Sequence, residues 1–350
     1  MALGSDSLDD GEIAVTIAAS LAAYAVFEAA GRIASLVVRT VGRAQGSSRE
    51  QRIAILGAAA FDAFQNRGDV QLAEQLARDA LRDGVTPGNP GVRAYSALIM
   101  SQTFTGRLPE AQATLREAMQ STELAGVSDY DRAAILGTSA ASRALTGDIE
   151  NARESADGGL ALARRIGNPS QLAVSLWTAS LTRARDNPDE ALAFAEQSIA
   201  LTRAGASGSV LGHVLPIRAQ LLARNGDASG AVRDLREAIT YSQDKGDKVM
   251  LMVAFDRGIS VFDSLGLAEP AALLAGVVLH GPLAVLSILP RAELDDRAVL
   301  LKRVRTLIGR TAYERAIAQG AAMNDNEAVI YALDQLETAE VQSLAPVPST

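Results

Sequence analysis

Only two histidines, His213 and His280, occur in this chain of 350 residues. They stand 67 positions apart, with no second His, Cys or His-x-x-Glu partner at metal-ligand spacing. No metal site follows from them, and His280, before Gly281-Pro282, reads as a turn residue. The chain has no cysteine. That excludes disulfides, zinc knuckles and thiol catalysis, and it suits a reducing, cytoplasmic setting. Gly205-Ala206-Ser207-Gly208-Ser209 has the outline of a nucleophile elbow, but its fifth residue is Ser and no strand-like run precedes it, so it reads as a loop. Carboxylates fall at capping and surface positions without a pair set apart for acid–base work. No Gly-x-x-x-x-Gly-Lys phosphate loop is present, and the first lysine is Lys245. The expectation is a non-enzymatic protein with no metal and no cofactor.

The elements that carry these residues repeat. Gly68, Gly106, Gly147, Asp186, Gly226 and Gly266 are spaced by 38, 41, 39, 40 and 40 residues. Small or apolar residues follow each anchor at +5, +9 and +12: Ala73, Ala77, Ala80; Ala111, Leu115, Ala118; Ala152, Ala156, Gly159; Ala191, Ala195, Ser198; Ala231, Leu235, Ala238; Ala271, Ala275, Val278. Steps of four and three place each trio on one helix face. A period near 40 is one helix pair, and repeated pairs stack into an α-solenoid. The chain is 48% hydrophobic but only 4% aromatic, with Ala dominant, which favours closely packed helices. No segment alternates as a strand does. The fold class expected is all-α, about seven helix pairs with a C-terminal helical cap. Seven pairs at roughly 10 Å each would form an elongated body about 70 Å long.

Four segments divide the chain: 1–11 as a disordered N-terminus, 12–280 as helical repeats, 281–340 as a C-terminal helical cap, and 341–350 as a disordered tail. The first pair reads as 12–30 and 32–43, turning at Gly31. In its first helix Ile13, Ile17, Leu21 and Tyr24 form an amphipathic stripe. Two uncharged stretches fail as membrane spans: 13–27 is 15 residues long, short of the ~20 a bilayer needs, and 271–289 is broken by Gly281-Pro282. Pro109, Pro188 and Pro270 fall in the first turns of second helices, where Pro is tolerated. In the cap, 293–308 and 311–319 read as helices, and Asn324 with Glu327 starts the last one as a capping box. Net charge is −8, so neither duplex DNA nor an anionic membrane is an expected partner.

The Gly…Ala…Leu/Ala…Ala spacing over 12–280 resembles the tetratricopeptide repeat, in the longer variety found in MalT-like and LuxR-type bacterial regulators. Leu307, Gly309, Tyr313, Ala316, Gly320, Met323, Glu327, Ala328, Tyr331, Ala332 and Leu333 resemble the closing segment of the helical sensor region in multidomain signal-transduction ATPases. The resemblance implies a sensor arm of a transcriptional regulator. The phosphate loop and the helix-turn-helix domain of that family have no counterpart here, so ATPase and DNA-binding activity are not implied.

In tetratricopeptide pairs, positions about 13, 10, 6, 3 and 2 residues before the turn face the concave groove. By that resemblance the groove holds Asp62, Gln65 and Asn66; Arg93, Ser96, Met100 and Thr103; Gly137, Ala141 and Ala144 as a small-residue floor; Ser180 and Arg183; His213, Gln220 and Arg224; Asp256, Ser260 and Asp263. Arg183, His213 and Arg224 on neighbouring pairs of an acidic chain would suit a carboxylate, a phosphate or an acidic peptide. Trp177, the only tryptophan, reads as core. The expected function is a cytoplasmic binding module that takes a protein partner or segment in the groove, through Arg183, His213, Arg224, Gln220, Ser180, Arg93 and Met100. The alternative is a sensor of a small-molecule or peptide effector.

Overall fold

The computed structural model describes residues 8–24, 37–86, 88–206, 209–282, 284 and 291–344. Helix α1 (Leu8–Tyr24) and a 3-10 turn (Val41–Gly46) precede six helix pairs: α2 (Arg49–Gln65) with α3 (Val70–Leu81), α4 (Val92–Phe104) with α5 (Leu108–Ser121), α6 (Asp129–Thr146) with α7 (Ile149–Ile166), α8 (Pro169–Leu181) with α9 (Pro188–Arg203), α10 (Val210–Arg224) with α11 (Ala228–Lys245), and α12 (Lys248–Ser264) with α13 (Ala268–His280). The cap is α14 (Arg291–Ile308), α15 (Arg310–Ala322) and α16 (Asp325–Leu344). The chain is an all-α, tetratricopeptide-like solenoid. Among the described residues no helix is long and apolar enough to cross a membrane.

The spacing positions explain the pairing. Every +5, +9 and +12 residue is buried, most of them completely. Small side chains on the second helix let it lie close against the first, and the glycines between them reverse the chain at positive φ (Gly68 65°, Gly147 85°, Gly226 83°). Asp69, Asp227 and Asp247 then cap the following helices through Leu72, Gly230 and Met250 N–H groups. Asn324 and Glu327 form the expected reciprocal box, each side chain accepting from the other's backbone N–H at 3.1 and 2.9 Å.

Three expectations are corrected at the ends. Helix α1 starts at Leu8, within the stretch expected to be disordered, since extending a nucleated helix by one turn costs little. It also packs by the opposite logic to its large-residue stripe. Ala14, Val15, Ala18 and Ala22 face inward, while Ile13 and Ile17 are 52% and 48% exposed. The small face permits a closer approach to α2. The expected turn at Gly31 lies outside the described residues. Helix α16 runs to Leu344, past the boundary at 340, and residues 345–350 lie outside the described part.

Curvature follows from which helices touch. Successive first helices (α2, α4, α6, α8, α10, α12) contact one another directly, whereas no comparable contact joins successive second helices. The stack is therefore shorter on the inner side, and the bend accumulates pair by pair. It does not remain an open, elongated body. Helix α2 meets α12, and Gln65 Nε2 donates to Asp247 Oδ1 and Oδ2 at 3.1 and 2.9 Å across 182 residues of sequence.

This junction titrates. Burial pushes the Asp247 carboxyl up to about 6, against the lowering effect of the Gln65 and Met250 hydrogen bonds. A carboxyl that is raised in the folded state binds its proton more readily there than in the unfolded chain. Its contribution to stability is therefore absent above about pH 6 and grows as pH falls towards ~4. Asn at this position keeps the cap without a titrating group. Melting profiles should show the stability difference between the parent and Asp247→Asn shifting in the parent's favour from pH 7 to pH 4. A difference independent of pH would mean that Asp247 is not desolvated at this contact.

Candidate functional site

The curved stack leaves on its concave face a half-open chamber of about 160 Å³, lined by all six first helices. Its wall is apolar and rich in rings: Phe61 and Phe64 from α2, Phe104 from α4, Trp177 from α8, with Met100, Met250 and Met252 between them. Phe64 and Phe104 meet edge to face, with centroids 5.3 Å apart and planes at 74°. The expected small-residue floor is present as Gly137 and Ala141 on α6. Ala144, the third member, is buried but does not line the chamber.

Few polar groups reach this space. Arg93 lines the wall, and its Nη2 is sealed from solvent without a hydrogen-bond partner. Desolvation pushes its pKa down to about 10, which still leaves it cationic at neutral pH. His213 lies against Trp177, ring centroids 4.5 Å apart and planes inclined by 45°. Its Nδ1 is likewise buried and unpaired. Burial alone pushes His213 down to about 4, so the imidazole is neutral at pH 7. At the α12 end, Asp256 pairs with Arg297 Nη1 at 2.5 Å, and Arg257 Nη1 reaches Glu293 Oε2 at 2.6 Å and Gln220 Oε1 at 3.0 Å. Burial works against the charge on Arg257, but Glu293 and Asp256 outweigh it and hold its pKa above the ordinary value. These two ion pairs also tie α12 to α14. Arg185 extends the connection to α14 by bonding Asp296 at 2.6 Å.

Of the residues named from the sequence, Arg93, Met100 and His213 line the chamber, as do Gln65, Ser96, Gly137, Ala141 and Asp256. Gln220 does not line it; it bridges α10 to α12 through Ser260 Oγ at 3.2 Å and Arg257. Ser96 bonds Thr138 at 2.7 Å, and Thr103 bonds Ser142 at 3.0 Å. These contacts join the first helices of successive repeats, so several polar groups assigned to a groove instead stitch the inner helices together.

The proposed cluster of Arg183, His213 and Arg224 does not assemble. Arg183 Nη2 reaches Asp157 at 2.7 Å, its Nε reaches Glu190 at 2.9 Å, and its guanidinium lies 5.3 Å from the centre of the Phe194 ring. Ser180 Oγ donates to Ala191 O at 2.8 Å. Arg224 reaches only Ala184 O, at 3.4 Å, and burial and nearby Arg257 lower its pKa. His213 lines the chamber alone of the cluster; Arg183, Ser180 and Arg224 do not. In the fourth pair Val174, Trp177 and Leu181 do so, each one residue later than the offsets require. The cause is a turn that occupies residues 182–186, where the fifth pair turns at 225–226. One residue of slip rotates a helix position by about 100°. The same slip brings Trp177 into the wall.

No family model matches the chain, and no curated protein matches it in sequence. A solved structure similar to it is a signal-transduction ATPase with numerous domains, carrying a tetratricopeptide-repeat sensor, from Pyrococcus horikoshii. The two are 13% identical with a TM-score of 0.42 over 89% of this chain and 53% of that one. The chain thus spans about half the length of that protein.

Proposed function

We propose that this chain is a non-enzymatic sensor module whose curved stack of helix pairs holds a small, largely apolar molecule. The convergence of all six inner helices on one apolar recess is the observation that carries this reading. The contact between Gln65 and Asp247 draws the first and last of the six pairs together, and what lines the recess is aromatic and aliphatic with two unpaired polar atoms. A mostly apolar recess with a few placed polar groups is the usual form of a small-ligand site. A protein segment laid along an open groove fits this geometry less well, so the effector alternative takes precedence over the partner-in-groove reading. Occupancy would be passed on through the Asp256–Arg297 and Arg257–Glu293 pairs, because they connect the chamber wall to the cap helix α14. Val299, Leu307 and Ile330 on the cap are 71%, 67% and 69% exposed, and a partner or output domain would meet the module there. A cytoplasmic transcriptional regulator is the setting we propose, on the strength of the closing motif from Leu307 to Leu333.

Toluene, a neutral single ring, is the probe. A cavity of about 150 Å³ is large enough for benzene, so the full chain should bind one toluene and melt at a higher temperature. Saturation at 100 times the dissociation constant corresponds to about 2.7 kcal/mol. Gly137→Leu should abolish the shift, since a Cβ at Gly137 meets nothing closer than Thr178 Cγ2 at 3.9 Å and the added side chain would project into free space. Absence of any toluene effect on the parent, or an unchanged effect in Gly137→Leu, would remove the chamber as the site.

A further inference from the structure

Arg93 is the exception among the charges of this chamber. Asp256 and Arg257 also line it, and each is neutralised by a residue of α14. Arg93 has its Nη2 sealed off with no acceptor, and only the phenol of Tyr130 works against the desolvation that lowers its pKa. Arg93 is half-buried, but leaving its sealed guanidinium nitrogen without an acceptor is costly, and an anionic ligand would supply the missing counter-charge. His213 adds a second unpaired atom, Nδ1, but no charge at neutral pH. The chamber therefore lacks one negative charge and not two, which favours a monoanion over a phosphate dianion. A planar guanidinium matches the two oxygens of a carboxylate. The volume of about 160 Å³ and the wall of Phe61, Phe64, Phe104 and Trp177 suit one ring with a short substituent.

We propose that the ligand is a monocyclic aryl carboxylate, with its ring among the chamber phenylalanines and Trp177, its carboxylate on Arg93, and His213 Nδ1 available to a second oxygen. This rests on the sensor reading above but can fail separately from it. Calorimetric titration of the full chain with phenylacetate and with 2-phenylethanol, which has the same ring and carbon count without the charge, isolates the carboxylate. The acid should bind about tenfold or more tightly than the alcohol, as a charge-assisted hydrogen bond requires. Arg93→Met should bring the two affinities within about twofold of each other by weakening the acid alone. Met removes an unpaired buried charge and keeps an unbranched apolar stem, so the variant should fold, and circular dichroism would check this. The acid-to-alcohol ratio of the parent tests the proposal without any variant. If toluene binds but the parent shows no preference for the acid, or if Arg93→Met preserves that preference, the carboxylate assignment is overturned and the chamber stands. If toluene, acid and alcohol all fail to bind, both readings are overturned.

Discussion

Gly320→Ala is expected to detach the closing helices from the repeat stack. A Cβ at Gly320 would lie 2.0 Å from Leu273 O and 3.0 Å from Val277 N, and one at Gly276 would lie 2.2 Å from Ile317 O. Helices α13 and α15 therefore cross with backbone against backbone, and no side chain can rotate away to make room. Ordinary overpacking costs ~1–3 kcal/mol; with only backbone to displace, about 3 kcal/mol is expected here. Helix propensity pulls the other way, because Ala is favoured over Gly by about 1 kcal/mol in a helix interior. The sign of the change in a urea midpoint decides which effect dominates. A lowered midpoint, with new proteolytic cleavage between α14 and α16, is the expected outcome. A variant as stable as the parent or more so would show that the two backbones are not in contact.

Gly320 also illustrates what a sequence can and cannot convey. It stands in the closing motif as one small residue among several, and nothing local distinguishes it from Ala316 beside it. Only the crossing shows why a methyl group is excluded at one and present at the other. Gly309 differs, because its φ of 79° at the start of α15 is a backbone requirement that the residue type itself announces. The repeats were legible for a related reason. Their spacing follows the helical period, so Ala231, Leu235 and Ala238 must share a face whatever lies beyond it. The closure of Gln65 on Asp247 was not legible, because it sums small rotations over six pairs that no single repeat encodes.

The site divides along the same line. Offsets counted back from a turn located Arg93, Met100, Gly137, Ala141 and His213 in the wall, because those turns share a geometry. They missed Trp177 and selected Ser180 and Arg183, because the turn at 182–186 is longer and shifts the register by one residue. Charge offered no guide to this. Arg183 and Arg93 are the same residue type on inner helices, yet Asp157 and Glu190 are within reach of one and no carboxylate pairs with the other. A composition-level argument about cations in an acidic protein cannot tell a satisfied arginine from an unsatisfied one.

Satisfaction also governs the largest stability effect expected in the repeats themselves. Asp234→Ala should come close to unfolding the fifth pair. Asp234 is fully buried on α11 and takes a two-pronged contact from Arg218 of α10, Nε to Oδ2 at 2.5 Å and Nη2 to Oδ1 at 2.7 Å. That contact, ahead of the opposing desolvation, raises the pKa of Arg218 above its ordinary value. Among the described residues most other ion pairs have at least one solvent-exposed partner, where each is worth ~0–1 kcal/mol. Removing one partner of a buried pair typically costs about 3–5 kcal/mol because the other charge is stranded, out of a total stability of roughly 5–15 kcal/mol. The interaction itself is a smaller quantity than that loss. Replacing both residues, Arg218→Met with Asp234→Leu, leaves no charge behind and should recover most of the stability. A double-mutant cycle on denaturant midpoints separates these contributions. A cost under ~1 kcal/mol for Asp234→Ala would mean that water reaches the pair, and a double variant no better than the single one would mean that packing, and not the stranded charge, sets the loss.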